Sequence, residues 1–187
     1  MPEAEPAVPT SDDLVQALAG LVSAPLRVAV DGPDAAGKST LAAALGRRLG
    51  VEVTSVDDFH HPPEVRHRRG PWSPEGYYRD TFDYPALRRA VSARAGSVVL
   101  VEGVFLLRPE LRDDWDLAVY LHVSPEETLR RALVRDVGLF GDAVRERYER
   151  RYLPGQALYR AEADPLARAD VLVDHTDPAR PLVLRWP

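Results

Sequence analysis

Leu14, Val15, Leu18, Leu21 and Val22 recur at helical spacing behind Ser11, a residue suited to cap a helix N-terminus. The period then shortens. Arg27 to Asp31 (RVAVD) is a brief apolar run ending at a glycine-containing loop, and Ser39 to Leu49 resumes as an alanine- and leucine-rich helix. Further short apolar runs at Val51 to Val56, Ser97 to Val101, Leu117 to Val123 and Asp170 to Val173 suit strands buried on both faces. Helices are expected at Pro85 to Ala95, Pro125 to Val137 and Asp142 to Ala163, the last interrupted at Pro154-Gly155. Five strands alternating with helices predict an α/β fold with a five-stranded parallel sheet between helical layers. Asp57 to Tyr84 is the longest connection, and it follows a strand, so it opens at the ligand-binding edge of the sheet.

Length and charge narrow this picture. A chain of 187 residues suits one domain, here 11–187, behind a proline-rich tail at 1–10 expected to be flexible. The formal net charge of −5 gives no long-range attraction for nucleic acid or an anionic membrane. The chain has no cysteine, which excludes disulfides, thiolate zinc sites and thiol catalysis. MPEAEPAVPTS has neither the basic start nor the apolar run of a signal peptide or membrane anchor, so a cytoplasmic location is expected. Self-association is left open.

Gly32-Pro33-Asp34-Ala35-Ala36-Gly37-Lys38-Ser39, followed by Thr40, matches G-x-x-x-x-G-K-[ST] between a predicted strand and a predicted helix, the context that motif requires. Its glycines let backbone amides curl toward phosphate oxygens, the helix N-terminus adds partial positive charge, and Ser39 can ligate magnesium. Lys38 is the only lysine in the chain. A compact ammonium fits a tight phosphate cradle where a planar guanidinium is bulkier. The expected ligands are ATP, or another nucleoside triphosphate, and Mg2+.

Two strand ends refine the chemistry. Val56-Asp57-Asp58-Phe59-His60-His61 places paired carboxylates where a substrate hydroxyl would meet the γ-phosphate, and Asp57 is the candidate base. A turn or helix cap built by adjacent aspartates is the bland alternative. The strand from Val98 to Val101 ends at Glu102, placed to face magnesium together with Ser39 and Asp57. Asparagine is absent, so the Asn-Lys-x-Asp guanine motif is excluded.

DGPDAAGKST at Asp31 to Thr40, DDFHH at Asp57 to His61, FDYP at Phe82 to Pro85, VEGVFLL at Val101 to Leu107 and LRRALVRD at Leu129 to Asp136 together resemble the uridine kinase family of small P-loop kinases, related to phosphoribulokinase and bacterial pantothenate kinase. The resemblance implies a P-loop three-layer sandwich with a helical lid and phosphoryl transfer from ATP to a hydroxyl on a small molecule such as a nucleoside. It also implies that Asp57 is the catalytic aspartate, that Asp83 holds substrate hydroxyls, and that arginines near Asp136 face phosphate. Only Ala86 to Val101 separates FDYP from the glutamate-bearing strand, which leaves no room for the polar hairpin with which family members read the base.

Acceptor contacts are then expected from the long connection, among them Asp58, His60, Arg69 and Tyr78, although solvated histidines and arginines are the commoner state of such a segment. Arg131 and Arg135 share a helix face, with Arg131 a candidate for nucleotide contact and Arg135 for the transferring phosphate. Glu126 and Glu127 stand four residues before Arg130 and Arg131, so an exposed ion-pair ladder explains part of that stripe equally well. A nucleotide-sensing regulator without transfer is the reading from another functional class.

Overall fold

The computed structural model describes residues 8–94 and 96–187, so most of the predicted tail lies outside the described residues. Val8 is buried and Thr10, not Ser11, caps the first helix by accepting the Asp13 N–H. Ten helices follow among the described residues: α1 (Ser11–Leu21), α2 (Lys38–Leu49), α3 (Pro63–Arg66), α4 (Pro74–Asp80), α5 (Tyr84–Ser92), α6 (Pro125–Arg135), α7 (Val137–Phe140), α8 (Val144–Arg147), α9 (Leu153–Ala163) and α10 (Pro165–Arg168). The strands are β1 (Leu26–Asp31), β2 (Val53–Ser55), β3 (Val98–Gly103), β4 (Leu117–His122), β5 (Val171–Asp174) and β6 (Leu182–Arg185).

The sheet runs β2-β3-β1-β4-β5-β6, parallel except for the antiparallel β5–β6 pair. Five strands were predicted and the sixth was not. In β6 the outward-facing Leu182 and Leu184 are apolar and exposed, so the inward Val183 does not stand out as one half of an alternation. Elsewhere the alternation sorts side chains cleanly. Val28, Val30, Leu100, Val119 and Leu121 meet α1 and α2 on one face, whereas Ala29, Val99, Val101, Ala118 and Tyr120 meet Leu87, Phe105 and Tyr159 on the other. Two cores on opposite faces of one sheet make the three layers.

Two local expectations change. The connection 57–84 carries a 3-10 turn at Val56–Phe59 and the helices α3 and α4, and it inserts Tyr77, Tyr78 and Phe82 into the core. The long final helix is not broken at Pro154-Gly155. Its irregularity is a π turn at Tyr148–Tyr152, just before the proline, where widened hydrogen bonding accommodates a ring that lacks an N–H and crowds the preceding turn. Only residues 93–97 join α5 to β3, so no base-reading hairpin stands there among the described residues.

Candidate active site

β1 ends at Asp31, and the loop that follows runs over the C-terminal edge of the sheet. Gly32 has φ 155° and a Cβ on it would lie 2.6 Å from the Leu121 carbonyl oxygen, while Gly37 has φ 95° and a Cβ there would lie 2.9 Å from the His175 ring. Both positions therefore demand glycine. Lys38 Nζ donates to the Pro33 carbonyl at 2.7 Å, leaving two of its three N–H groups for phosphate oxygens. Ala35, Gly37, Lys38, Ser39 and Thr40 line a cavity of about 410 Å³ with Arg131, Arg135 and His175.

Gly32, Ala36 and Asp34 instead make bonds within the protein. The Gly32 N–H donates to Asp31 Oδ1 at 2.6 Å, the Ala36 N–H donates to the Pro33 carbonyl at 3.2 Å, and the Asp34 carboxylate accepts from Tyr77 Oη at 2.7 Å and Gln156 Nε2 at 2.6 Å. Gly32, Ala36 and Asp34, expected at the nucleotide, shape the loop and tie it to α4 and α9.

Across Lys38 a second cavity of about 520 Å³ opens, lined by Asp34, Ser39, Asp57, His60, Tyr77, Phe82, Glu102, Arg135, Asp136, Phe140, Tyr148 and Tyr152 among others. Glu102 accepts from Ser39 Oγ at 3.1 Å and from Ser55 Oγ at 2.7 Å. A serine hydroxyl beside a carboxylate is a hard-oxygen pair of the sort magnesium uses when phosphates and water supply its other ligands. Among the described residues no trio of acids or histidines forms a site that could hold a metal without such help.

Asp57 stands at the start of the 3-10 turn, with its N–H donating to Ser55 Oγ at 3.3 Å. Burial by neighbouring atoms raises its pKa, His60 and Lys38 oppose the rise, and Glu102 and Asp34 add to it. His60 Nδ1 lies 2.6 Å from the Asp57 carbonyl oxygen and its ring packs 4.8 Å from Phe82. Asp57 and His60 thus join Lys38, Ser39 and Glu102 around one space.

Other expected contacts lie elsewhere. Tyr78 is 1% exposed, packed among Phe105, Tyr159 and the Arg108 guanidinium, and belongs to the core. Arg69 and Arg68 bond the two oxygens of buried Asp80, so Arg69 neutralises an internal carboxylate. Asp83 caps α5 by accepting the Ala86 N–H at 2.8 Å, and neither it nor exposed Asp58 lines the second cavity.

On α6, Glu127 rather than Glu126 pairs with both Arg130 and Arg131. Arg131 is a strut: its guanidinium donates to the Ala35, His175 and Thr176 carbonyls at 3.2, 2.7 and 3.0 Å. Arg135 makes a two-point bond to Asp136, with Tyr148 Oη 3.2 Å away, and it alone of the lid arginines borders both cavities.

Two residues escaped the sequence reading. Asp31 is fully buried and accepts from Gly32 N, Leu107 N at 3.0 Å and Tyr159 Oη; burial pushes its pKa up to about 6 against those donors. His175, buried beside Gly37, contacts the Ala36 carbonyl oxygen through Nδ1 at 2.6 Å, and burial lowers its pKa. Asp31 precedes the motif directly, a signal within reach; His175 lies 139 residues from its partner, which no local pattern links.

A three-layer sheet with a phosphate loop after β1, an acid at the C-terminal end of β3 and a helical lid defines a small P-loop kinase fold. No family model matches the chain. The cytidylate kinase of Pyrobaculum arsenaticum (strain DSM 13514 / JCM 11321 / PZ6) is 32% identical over 164 residues, spanning 79% of this chain and 82% of that protein. The cytidylate kinase of Pyrobaculum aerophilum is 30% identical over 164 residues with the same coverage. A solved structure described as a possible uridine kinase from Bacillus stearothermophilus shares the fold with a TM-score of 0.65 at 24% identity, over 87% of this chain and 96% of that one. The chain belongs to the small P-loop kinases, the family of these cytidylate kinases. Among the described residues no helix is long and apolar enough to cross a membrane.

Proposed function

We propose that the protein is an ATP- and magnesium-dependent kinase that transfers the γ-phosphate to a hydroxyl of a small molecule bound over Asp57. The observation that carries this reading is the convergence of Asp57, Lys38, Ser39 and Glu102 on one cavity at the end of the phosphate loop. Lys38 and the amides of Gly37 to Thr40 hold the phosphates, while Ser39 and Glu102 hold magnesium, which when bound neutralises phosphate charge. Asp57 orients the acceptor hydroxyl and takes its proton as the new O–P bond forms and the bond to the nucleoside diphosphate breaks. Arg135, between the two cavities, offsets the charge that spreads over the transferring group.

The name of the relatives, cytidylate kinase, suggests a second reading in which a nucleotide's phosphate is the acceptor. The charges around the transfer point favour the hydroxyl. Asp34, Asp57, Glu102 and Asp136 face this cavity against Lys38 and Arg135, and Arg135 is already paired with Asp136. A hydroxyl gains from a carboxylate that accepts its proton, whereas a phosphate is repelled by it.

The test is nucleoside diphosphate release from ATP over nucleosides, cytidylate, pantothenate and sugar alcohols, with products weighed by mass spectrometry. Asp57→Asn is expected to lower kcat by about 10²–10⁴-fold while ATP binding persists. Unchanged turnover in that variant removes Asp57 from the mechanism, and ATP binding without transfer to any acceptor supports a regulator instead.

A further inference from the structure

Beside the acceptor cavity lies a cluster of arginines that forms no ion pair among the described residues. Arg66 ends α3, and Arg147, which ends α8, and Arg151, four residues on in the π turn before α9, lie on one face of that helical segment. Among the described residues none of the three forms an ion pair, although adjoining Arg68 and Arg69 share Asp80 and Arg150 pairs with Glu146. The Nε atoms of Arg66, Arg147 and Arg151 are all buried without a hydrogen-bond partner. Arg151 is only 6% exposed, and the bond it makes runs to the Pro71 carbonyl at 2.7 Å.

The cations crowd one another. Burial lowers the pKa of Arg151, and Arg147 and Arg66 lower it further; burial and the same three arginines lower that of His67. Buried donors without acceptors, and buried charges without partners, each carry a desolvation penalty that an anion would remove.

The location says which anion would arrive. The Arg147 guanidinium lies 4.5 Å over the Phe140 ring, and that of Arg151 lies 5.8 Å from the Tyr77 and Tyr152 rings. Those three rings line the cavity above Asp57, so Arg147 and Arg151 contact the wall of the space assigned to the acceptor. We infer that Arg66, Arg147 and Arg151 bind a phosphate monoester carried by the acceptor at the end remote from the hydroxyl that reacts at Asp57. The inference rests on the kinase reading above. Three forked guanidiniums offer more N–H donors than the two oxygens of a carboxylate can accept, and a dianion with three oxygens matches them. The carboxylates near the transfer point repel the same group, so charge alone orients the molecule: phosphate toward Arg66, Arg147 and Arg151, hydroxyl toward Asp57.

The test uses the full chain saturated with MgADP, so that the phosphate loop is filled, and titrates inorganic phosphate and, separately, acetate by calorimetry. Phosphate is expected to bind the ADP-loaded protein and raise its Tm. Arg66→Gln and Arg147→Gln are each expected to weaken that binding by roughly tenfold. In phosphate-free buffer both variants should have a Tm no lower than the parent, because each removes one of three repelling cations. Phosphate binding that is absent, or equal in parent and variants, overturns the inference, as does acetate binding as tightly as phosphate. If the variants instead weaken MgADP by the same factor, the cluster serves the nucleotide and the inference fails. Failure of MgADP to bind the parent chain would sink the kinase reading itself, a result visible in the first titration.

Discussion

Asparagine in place of Asp31 tests the electrostatics beneath the phosphate loop. The carboxyl is fully buried and titrates at about 6 in the folded chain against 3.8 when free, because burial disfavours the anion more than its three hydrogen bonds favour it. At about 1.4 kcal/mol per pH unit, keeping it ionised costs about 3 kcal/mol. The raised value sets the sign: between those pH values the folded chain retains a proton that the unfolded chain has released, so this group's contribution to stability falls as pH rises and levels off above about 6. Carboxylates with lowered values, such as Asp80 and Glu127, act in the opposite sense, losing their stabilisation as pH falls. The difference between parent and Asp31→Asn isolates the buried group. Urea unfolding followed by tryptophan fluorescence at steps from about pH 4 to 7 should show the parent losing about 2 kcal/mol relative to the variant across that span, the remainder of the ~3 kcal/mol having been lost below about pH 4. Parallel profiles, or a difference that grows in the parent's favour as pH rises, would refute the account.

Gly37→Ala should weaken nucleotide binding at least tenfold, because its Cβ meets the His175 ring at 2.9 Å and its φ is 95°. Adding His175→Ala should restore only part, since the backbone strain of about 1 kcal/mol stays; complete recovery, or none, contradicts that division. Glu102→Gln should shift the magnesium requirement about 10–100-fold upward while the fold survives, as the amide still accepts from one serine. An unchanged magnesium titration would remove Glu102 from the metal site. With the pKa of Asp57 raised by burial, kcat/KM should fall on acidification through a value above 3.8, the base being lost as it protonates. An acid limb that persists in the residual activity of Asp57→Asn would belong to another group.

Gly32 to Thr40, the strand before it and the helix after it follow from local backbone rules, as do Asp57 and Glu102 at strand ends, because a turn's geometry and a strand's alternation are written over a few adjacent residues. Tertiary structure decided which side chains meet. Tyr78 and Arg69 carry the polar groups that a binding residue needs, and only packing against Phe105 and against Asp80 turned them into core and counter-ion. Arg131 and Arg135 share one helix face, yet the first is consumed by three carbonyls brought from the segment after β5 and the phosphate loop while the second borders both cavities. The edge strand β6, His175 against Gly37, and the group of Arg66, Arg147 and Arg151 depend on chain segments far apart in sequence. Their proximity is set by how the layers pack over the sheet, which periodicity along a single segment does not encode.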